Sequence, residues 1–289
     1  MTISREILES IRRVAPLSQS ALRLLQITAA PQYSMRDVLG VVQNDAVLTG
    51  NILRIVNSAA YARRGAIETV ARAVPLVGER ALVGMAVGLC AGPALNTELK
   101  GYDAERGLLW RHSLRTAVAA REMAAFCAGV DPEVAYTAGI MHDIGKTVIS
   151  AYLQGRVHEA VHAAESTEIG DYLFAEHQLL GTDHCEVGAA LAEHWRLPHS
   201  LAAVIRWHHD PARAPAEQRP LCYLIHLGDF AAMMAGAGTG ADTLLYPLVP
   251  TYRDYVRIGR KELDRVMARI EIEFEREARL TFPMEEDSK

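Results

Sequence analysis

The sequence predicts an all-α protein, a helical bundle, on three observations. Apolar residues recur at helical spacing behind recognisable N-caps. Nowhere does a long alternating run bounded by hairpin turns appear, so strand content should be small or zero. Of the 289 residues, 50% are hydrophobic and 22% charged, which supplies a buried core and excludes a disordered tail protein.

Ser34 followed by Asp37 fits a capping box, and Met35, Val38, Leu39 and Val42 then form one apolar stripe. The next helix carries Leu48, Ile52 and Ile55 on one face and runs to about Asn57. Asp131-Pro132-Glu133 supplies an N-cap, a proline at the first helical position and an early acid, opening a helix through Met141. Asp183 with Glu186 makes another cap, ahead of Val187, Leu191 and Trp195. After Phe230 the chain turns rich in glycine and small residues and reads as a loop. From Arg260 onward a strongly charged segment places Leu263, Val266 and Ile270 at helical spacing. It reads as a solvated amphipathic helix packed on the body, with a dimerisation or partner helix as the sharper alternative. The polar stretch Asn96 to Gly107 marks a boundary. Three parts follow: an N-terminal helical part over 1–100, a histidine-bearing part over 101–235, and a loop plus C-terminal helix over 236–289.

A net charge of −5 argues against a nucleic-acid partner, which needs a basic surface to displace counterions. The opening MTISREILESIRR lacks the apolar core of a signal peptide. The longest apolar stretch, Ala81 to Leu95, falls short of the roughly 18 to 20 residues of a membrane span and contains Pro93. Cys90, Cys127, Cys185 and Cys222 are widely spaced, which excludes a thiolate zinc knuckle and offers no disulfide framework. The expectation is a soluble cytoplasmic protein with no membrane partner.

All eleven histidines lie between His112 and His226. His142-Asp143 sits in GIMHDIGKT, at the end of a capped apolar helix, where adjacent side chains can reach one ion from a common rim. A buried Asp beside a buried His is costly unless charge is compensated, and a divalent metal does that directly. His112, His184, His208, His209 and Asp229 each adjoin apolar residues and can project inward from helices. With His142 and Asp143 they make seven ligand groups, more than one octahedral ion accepts, which favours two ions bridged by a carboxylate. Several imidazoles disfavour magnesium; iron or manganese suits the set better than zinc. His158, His162, His177, His194, His199 and His226 read as ordinary surface or packing residues.

The order His112, His142-Asp143, His184, His208-His209, Asp229 resembles the ligand order of the HD superfamily of metal-dependent phosphohydrolases. GIMHDIGK, His184-x-x-Val187-Gly188 and the His208-His209 pair resemble its HD-GYP branch, which implies a phosphate-contacting role for Lys146 if the protein is an enzyme. The N-terminal half resembles the HDOD domain, a signalling relative of these enzymes. The resemblance rests on Pro16-Leu17, Asp45-Ala46-Val47-Leu48-Thr49, Asn57-Ser58-Ala59-Ala60-Tyr61, Ala73-Val74-Pro75-Leu76-Val77-Gly78 and Trp110-Arg111-His112-Ser113. It covers about residues 14 to 232 and implies an HDOD-type bundle, with an N-terminal helical subdomain packed on an HD-like metal-site subdomain. Two departures bear on mechanism. Asp210-Pro211-Ala212-Arg213 stands in place of the Gly-Tyr-Pro motif of cyclic-di-GMP phosphodiesterases. Leu108 stands where trinuclear members carry a glutamate.

Two functions are therefore expected. The favoured one is a signal-transduction regulator that keeps a binuclear metal site, structural or sensory, and acts through a protein partner. The alternative is an active phosphohydrolase on a nucleotide or cyclic nucleotide, so a nucleotide-like ligand stays in view. A purely structural bundle without metal is a weaker third reading. Oligomeric state stays open.

Overall fold

The structure, a computed structural model, describes residues 3–30, 32–57, 67–168 and 170–281. Among these there is no β-strand, only the isolated bridges Leu99 to Ala104 and Cys127 to Val256. The first helices are α1 (Arg5–Arg13), α2 (Gln19–Thr28), α3 (Met35–Gln43), α4 (Ala46–Val56), α5 (Val70–Val77) and α6 (Glu79–Leu95). Ser34 caps α3 by accepting the N–H of Arg36, and Val38 and Val42 are fully buried. Leu48, Ile52 and Ile55 bury the inward face of α4, which ends at Val56, one residue short of the expected limit. The Asn57 carboxamide bridges the N–H and C=O of Ile67 at 2.7 and 2.9 Å. The rest of the Asn57–Tyr61 motif, Ser58 to Tyr61, lies outside the described residues.

Helices α2 to α5 wrap α6, whose Leu82, Val83, Ala86, Val87, Ala91 and Leu95 are buried. This is the apolar stretch the sequence singled out. No helix among the described residues is long and apolar enough to cross a membrane.

The remaining helices are α7 (Leu108–Met123), α8 (Pro132–Met141), α9 (Lys146–Leu153), α10 (Val157–Glu165), α11 (Tyr172–Leu180), α12 (His184–His194), α13 (His199–Trp207), α14 (Arg219–Met234) and α15 (Arg260–Thr281). Helix α7 lies at the centre, flanked by α8, α14 and α15. Asp131 caps α8 and Asp183 caps α12 through their carboxylates, as the sequence predicts. Two stretches differ from expectation. The polar Asn96–Gly107 segment folds inward, burying Leu99, Gly101, Tyr102 and Ala104, with the Gly101 N–H held by Ser150. Helix α14 continues past Phe230 to Met234, because Ala231, Ala232 and Met233 are good helix formers with buried positions to fill. The amphipathic α15 buries Val266, Ile270 and Phe274 on the body, and Arg115 both pairs with Glu271 at 3.0 Å and covers the Phe274 ring. The first helix also leaves its own part of the chain: α1 packs on α9 and α12, with Ser10 and Tyr152 hydroxyls 2.6 Å apart.

Candidate metal centre

Five helices and the turns that follow two of them converge on one buried cluster. His112 comes from the middle of α7, His142 from the C-cap of α8, and Asp143 from the turn before α9. His184 opens α12, His208 caps the C-terminus of α13 with His209 just beyond it, and Asp229 sits within α14. The turn after His142 comes so close to α12 that a β-carbon on Gly145 would lie 1.9 Å from the His184 carbonyl oxygen. Only glycine permits that approach, which brings Asp143 and His184 together.

Every one of these side chains is buried, His209 being the most exposed at 6%. Their hydrogen bonds fix the tautomers. Nδ1–H of His112 is donated to the Ala237 carbonyl at 2.6 Å, and that of His142 to the Gly139 carbonyl at 2.8 Å. Nδ1–H of His184 is donated to Glu176 at 2.9 Å, and that of His208 faces the Val204 and Ile205 carbonyls at 3.2 Å. These acceptors take the Nδ1 protons, so a neutral imidazole would present its Nε2 lone pair to the carboxylates. His112 Nε2 lies 2.9 Å from Asp229 Oδ1 and 3.7 Å from Asp143 Oδ2. His142 Nε2 lies 3.5 Å from Asp143 Oδ2 and 3.7 Å from Asp229 Oδ1. On the other side of the same carboxylate, His184 Nε2 and His208 Nε2 approach Asp143 Oδ1 at 3.4 and 3.5 Å.

Acceptor facing acceptor is repulsive unless a proton or a cation lies between. Donors held about 2.0 to 2.2 Å from one ion are themselves about 3.0 to 3.5 Å apart, close to the spacing seen. Asp143 Oδ1 and both ring nitrogens of His209 are buried without a hydrogen-bond partner. Such orphaned atoms, the fixed tautomers and the spacing all fit a divalent cation. His112, His142 and Asp229 form one group that could hold an ion; His142, Asp143 and His208 form another.

Without an ion, protonated imidazoles and Lys146 compensate the same carboxylates. Burial disfavours the charged forms of Asp143 and Asp229. Lys146 and the histidines facing Asp143, and His112 and His142 facing Asp229, nevertheless hold both carboxyls well below the usual range. Burial also opposes charge on His208, yet Cys185 and Asp143 push it up to about 10. Burial, His208 and His184 hold His209 well below its ordinary value. Burial raises Cys185, but His184 and His208 bring the thiol below its ordinary value.

Sequence reasoning missed the supporting residues. Glu176 on α11 is fully buried and accepts from the His184 main chain, the His184 ring and the Tyr102 hydroxyl. The segment after α14 folds over the cluster. Its Asp242 accepts from Lys146 at 2.7 Å and from Tyr246 at 2.8 Å, and the Tyr246 ring stacks on His209 at 4.0 Å. Gly240, with φ of +124°, lets the segment dock on the Tyr102 carbonyl, 2.1 Å from where a β-carbon would stand. Lys146 faces Asp143 Oδ2, Asp242 and Thr239 at 2.8, 2.7 and 3.1 Å, so each of its three N–H groups has a partner. The only sequence signal for this cover was a glycine-rich stretch, which says nothing about where it docks.

The set-aside histidines separate cleanly. His158, His162, His194 and His199 are exposed, and His177 pairs with Asp183 at 2.7 Å. His226 is buried between the His208 carbonyl and the Val249 N–H, at 2.8 and 2.9 Å.

Residues 14–211, more than half of the chain, match the family model of the HDOD domain. The chain belongs to the HDOD family. Asp229 lies beyond the matched span of this HDOD protein, yet α14 returns it to His112. A protein of Treponema pallidum (strain Nichols), itself uncharacterized, is 30% identical over 218 residues. That alignment covers 72% of the HDOD chain described here and 40% of the relative, so the chain spans less than half of that protein. An HDOD domain protein of unknown function from Geobacter sulfurreducens shares the fold with a TM-score of 0.68 at 24% identity, over 96% of this chain and 99% of the other. A candidate signal transduction protein, by name, from Marinobacter aquaeolei VT8 gives 0.73 at 22% identity, over 96% and 64% of the two chains. A candidate phosphohydrolase, by name, from Shewanella amazonensis SB2B gives 0.67 at 22%, over 96% and 99%. At these identities the solved structures establish the shared HDOD fold alone.

Proposed function

We propose that this HDOD protein is a signalling regulator with a binuclear transition-metal centre that is structural or sensory. Asp143 would serve both ions: Oδ2 with His112, His142 and Asp229 would hold one, Oδ1 with His184, His208 and His209 the other. A bound pair supplies positive charge that offsets the buried carboxylates and, in an enzyme, would also activate water and polarise a phosphoester. The residues themselves cross-link α7, α8, α12, α13 and α14, so ion binding couples to the folding of the bundle. Output passes through protein contacts, for which the N-terminal helices and α15 offer surfaces.

The observation that carries the regulatory reading is the covering segment. It sets the Ala237 carbonyl on His112, lays Tyr246 against His209 and occupies Lys146 with Asp242. A phosphoester seeking that lysine must displace a buried carboxylate. One observation bears on the hydrolase alternative: a surface pocket of about 490 Å³ has Cys185 and His209 in its wall, though its Arg206 and Arg213 already pair with Glu186 and Asp210. It is a route by which a nucleotide-like phosphoester would approach.

Elemental analysis of untagged protein, purified without chelators, should find close to two transition-metal equivalents per chain; fewer than half an equivalent overturns the binuclear reading. A panel of nucleotides and phosphoesters, assayed anaerobically with iron or manganese, should show no sustained turnover. Metal-dependent turnover abolished by Asp143→Ala would instead establish the hydrolase.

A further inference from the structure

One buried nucleophilic group has no place in the ligand set above. Cys185 follows His184 in the first turn of α12 and is 2% exposed. Its Sγ lies 3.5 Å from His184 Nε2, and 3.8 and 4.0 Å from the two ring nitrogens of His208. Ligand atoms of His184, Cys185, His208 and His209 all fall within 4.8 Å of one another. The His209 ring, buried and without a hydrogen-bond partner at either nitrogen, shares this group. A thiolate about 2.3 Å and a nitrogen about 2.0 to 2.1 Å from one ion, at an angle of about 110°, are themselves about 3.5 Å apart. The Cys185–His184 separation equals that spacing, and Asp143 Oδ1 closes the same side at 3.4 and 3.5 Å from the two imidazoles.

We infer that Cys185 Sγ is a thiolate ligand of the second ion, joining Asp143 Oδ1, His184, His208 and His209. The two halves of the centre then differ in kind. Nitrogen and oxygen donors alone surround the half at His112, His142 and Asp229, while sulfur enters the half at His184. On ligation the S–H bond breaks, the sulfur lone pair forms the bond to the ion, and the proton leaves to solvent through the pocket that Cys185 lines. No electron is transferred. Thiolate is a soft donor, so this half selects zinc or iron over manganese. The inference rests on the metal-centre reading above.

The test loads chelator-stripped protein with cobalt(II). Wild-type protein should show intense near-ultraviolet thiolate-to-cobalt absorption. A variant with Cys90→Ser, Cys127→Ser and Cys222→Ser, in which Cys185 is the remaining thiol, should keep it. Cys185→Ser should lose the band while still binding metal, with its zinc-over-manganese preference reduced on the order of tenfold, the scale on which loss of a supporting residue acts. If Cys185→Ser does not fold, the triple variant decides alone. Two cobalt equivalents without the band in that variant would overturn the sulfur ligand and leave the metal centre standing. Less than half an equivalent of cobalt in wild-type protein would overturn both.

Discussion

The helices before Leu99 and the cluster after it solve folding differently. In the first, the buried residues among those described are apolar apart from Thr28, whose hydroxyl is spent on the Leu24 carbonyl. In the second, His112, His142, Asp143, Lys146, Glu176, His184, His208, Asp229 and Asp242 are all buried. The first region is held by removing apolar surface from water and needs no particular partner. The second carries desolvated charge, which is tolerable only when each group meets its counterpart. The difference teaches where chemistry resides: buried polarity concentrates where an ion can compensate it.

Four experiments would break or sharpen this contrast. The largest effect is expected from Asp143→Ala, which leaves Lys146 and the facing imidazoles without their shared carboxylate. Stability should fall by about 3 to 5 kcal/mol, as when one partner of a buried pair is removed. Metal content should fall with it in the same preparation, and calorimetry with elemental analysis checks both. Ile52→Ala, in the apolar region, should cost about 2 to 5 kcal/mol by leaving a cavity. Its metal content should stay at the wild-type level, so a loss of metal there would erase the proposed division.

Glu176→Gln should be milder, because it keeps the shape but weakens the acceptor that orients His184. Metal affinity should drop by roughly 10- to 100-fold in a chelator competition, with the helical circular dichroism unchanged. The smallest effect concerns His226. Burial keeps its pKa below the usual 6.5, so the folded chain refuses a proton that the unfolded chain accepts. That contribution is present above pH 6.5 and is lost as the pH falls toward the depressed folded value. His226→Asn should make the stability-versus-pH slope shallower by close to one proton in that window. A steeper slope would contradict the neutral, doubly hydrogen-bonded ring.

Much of this was legible in the linear order of residues. Asp131-Pro132 and Asp183 announced α8 and α12 because capping is local: one carboxylate reaches main-chain N–H groups two or three residues away. The buried His and Asp cluster was legible because each member sits at the end or on the inner face of an apolar helix. Cys185 was weighed only for disulfides and zinc knuckles, since nothing in a lone cysteine says which imidazoles will surround it. Glu176 and Asp242 were invisible for the same reason. A single acid in a helix or a glycine-rich stretch resembles any surface acid until the fold buries it.

By itself, then, the sequence determined the all-α class, the caps, the apolar stripes and which histidines deserved attention, since all of these depend on neighbours within a turn or two. Tertiary structure alone decided that one carboxylate would face four imidazoles, that Lys146 would be claimed by Asp242, and that the segment after α14 would close over the cluster. Those outcomes join residues as much as 125 positions apart, and such pairings are set by how helices pack rather than by local propensity.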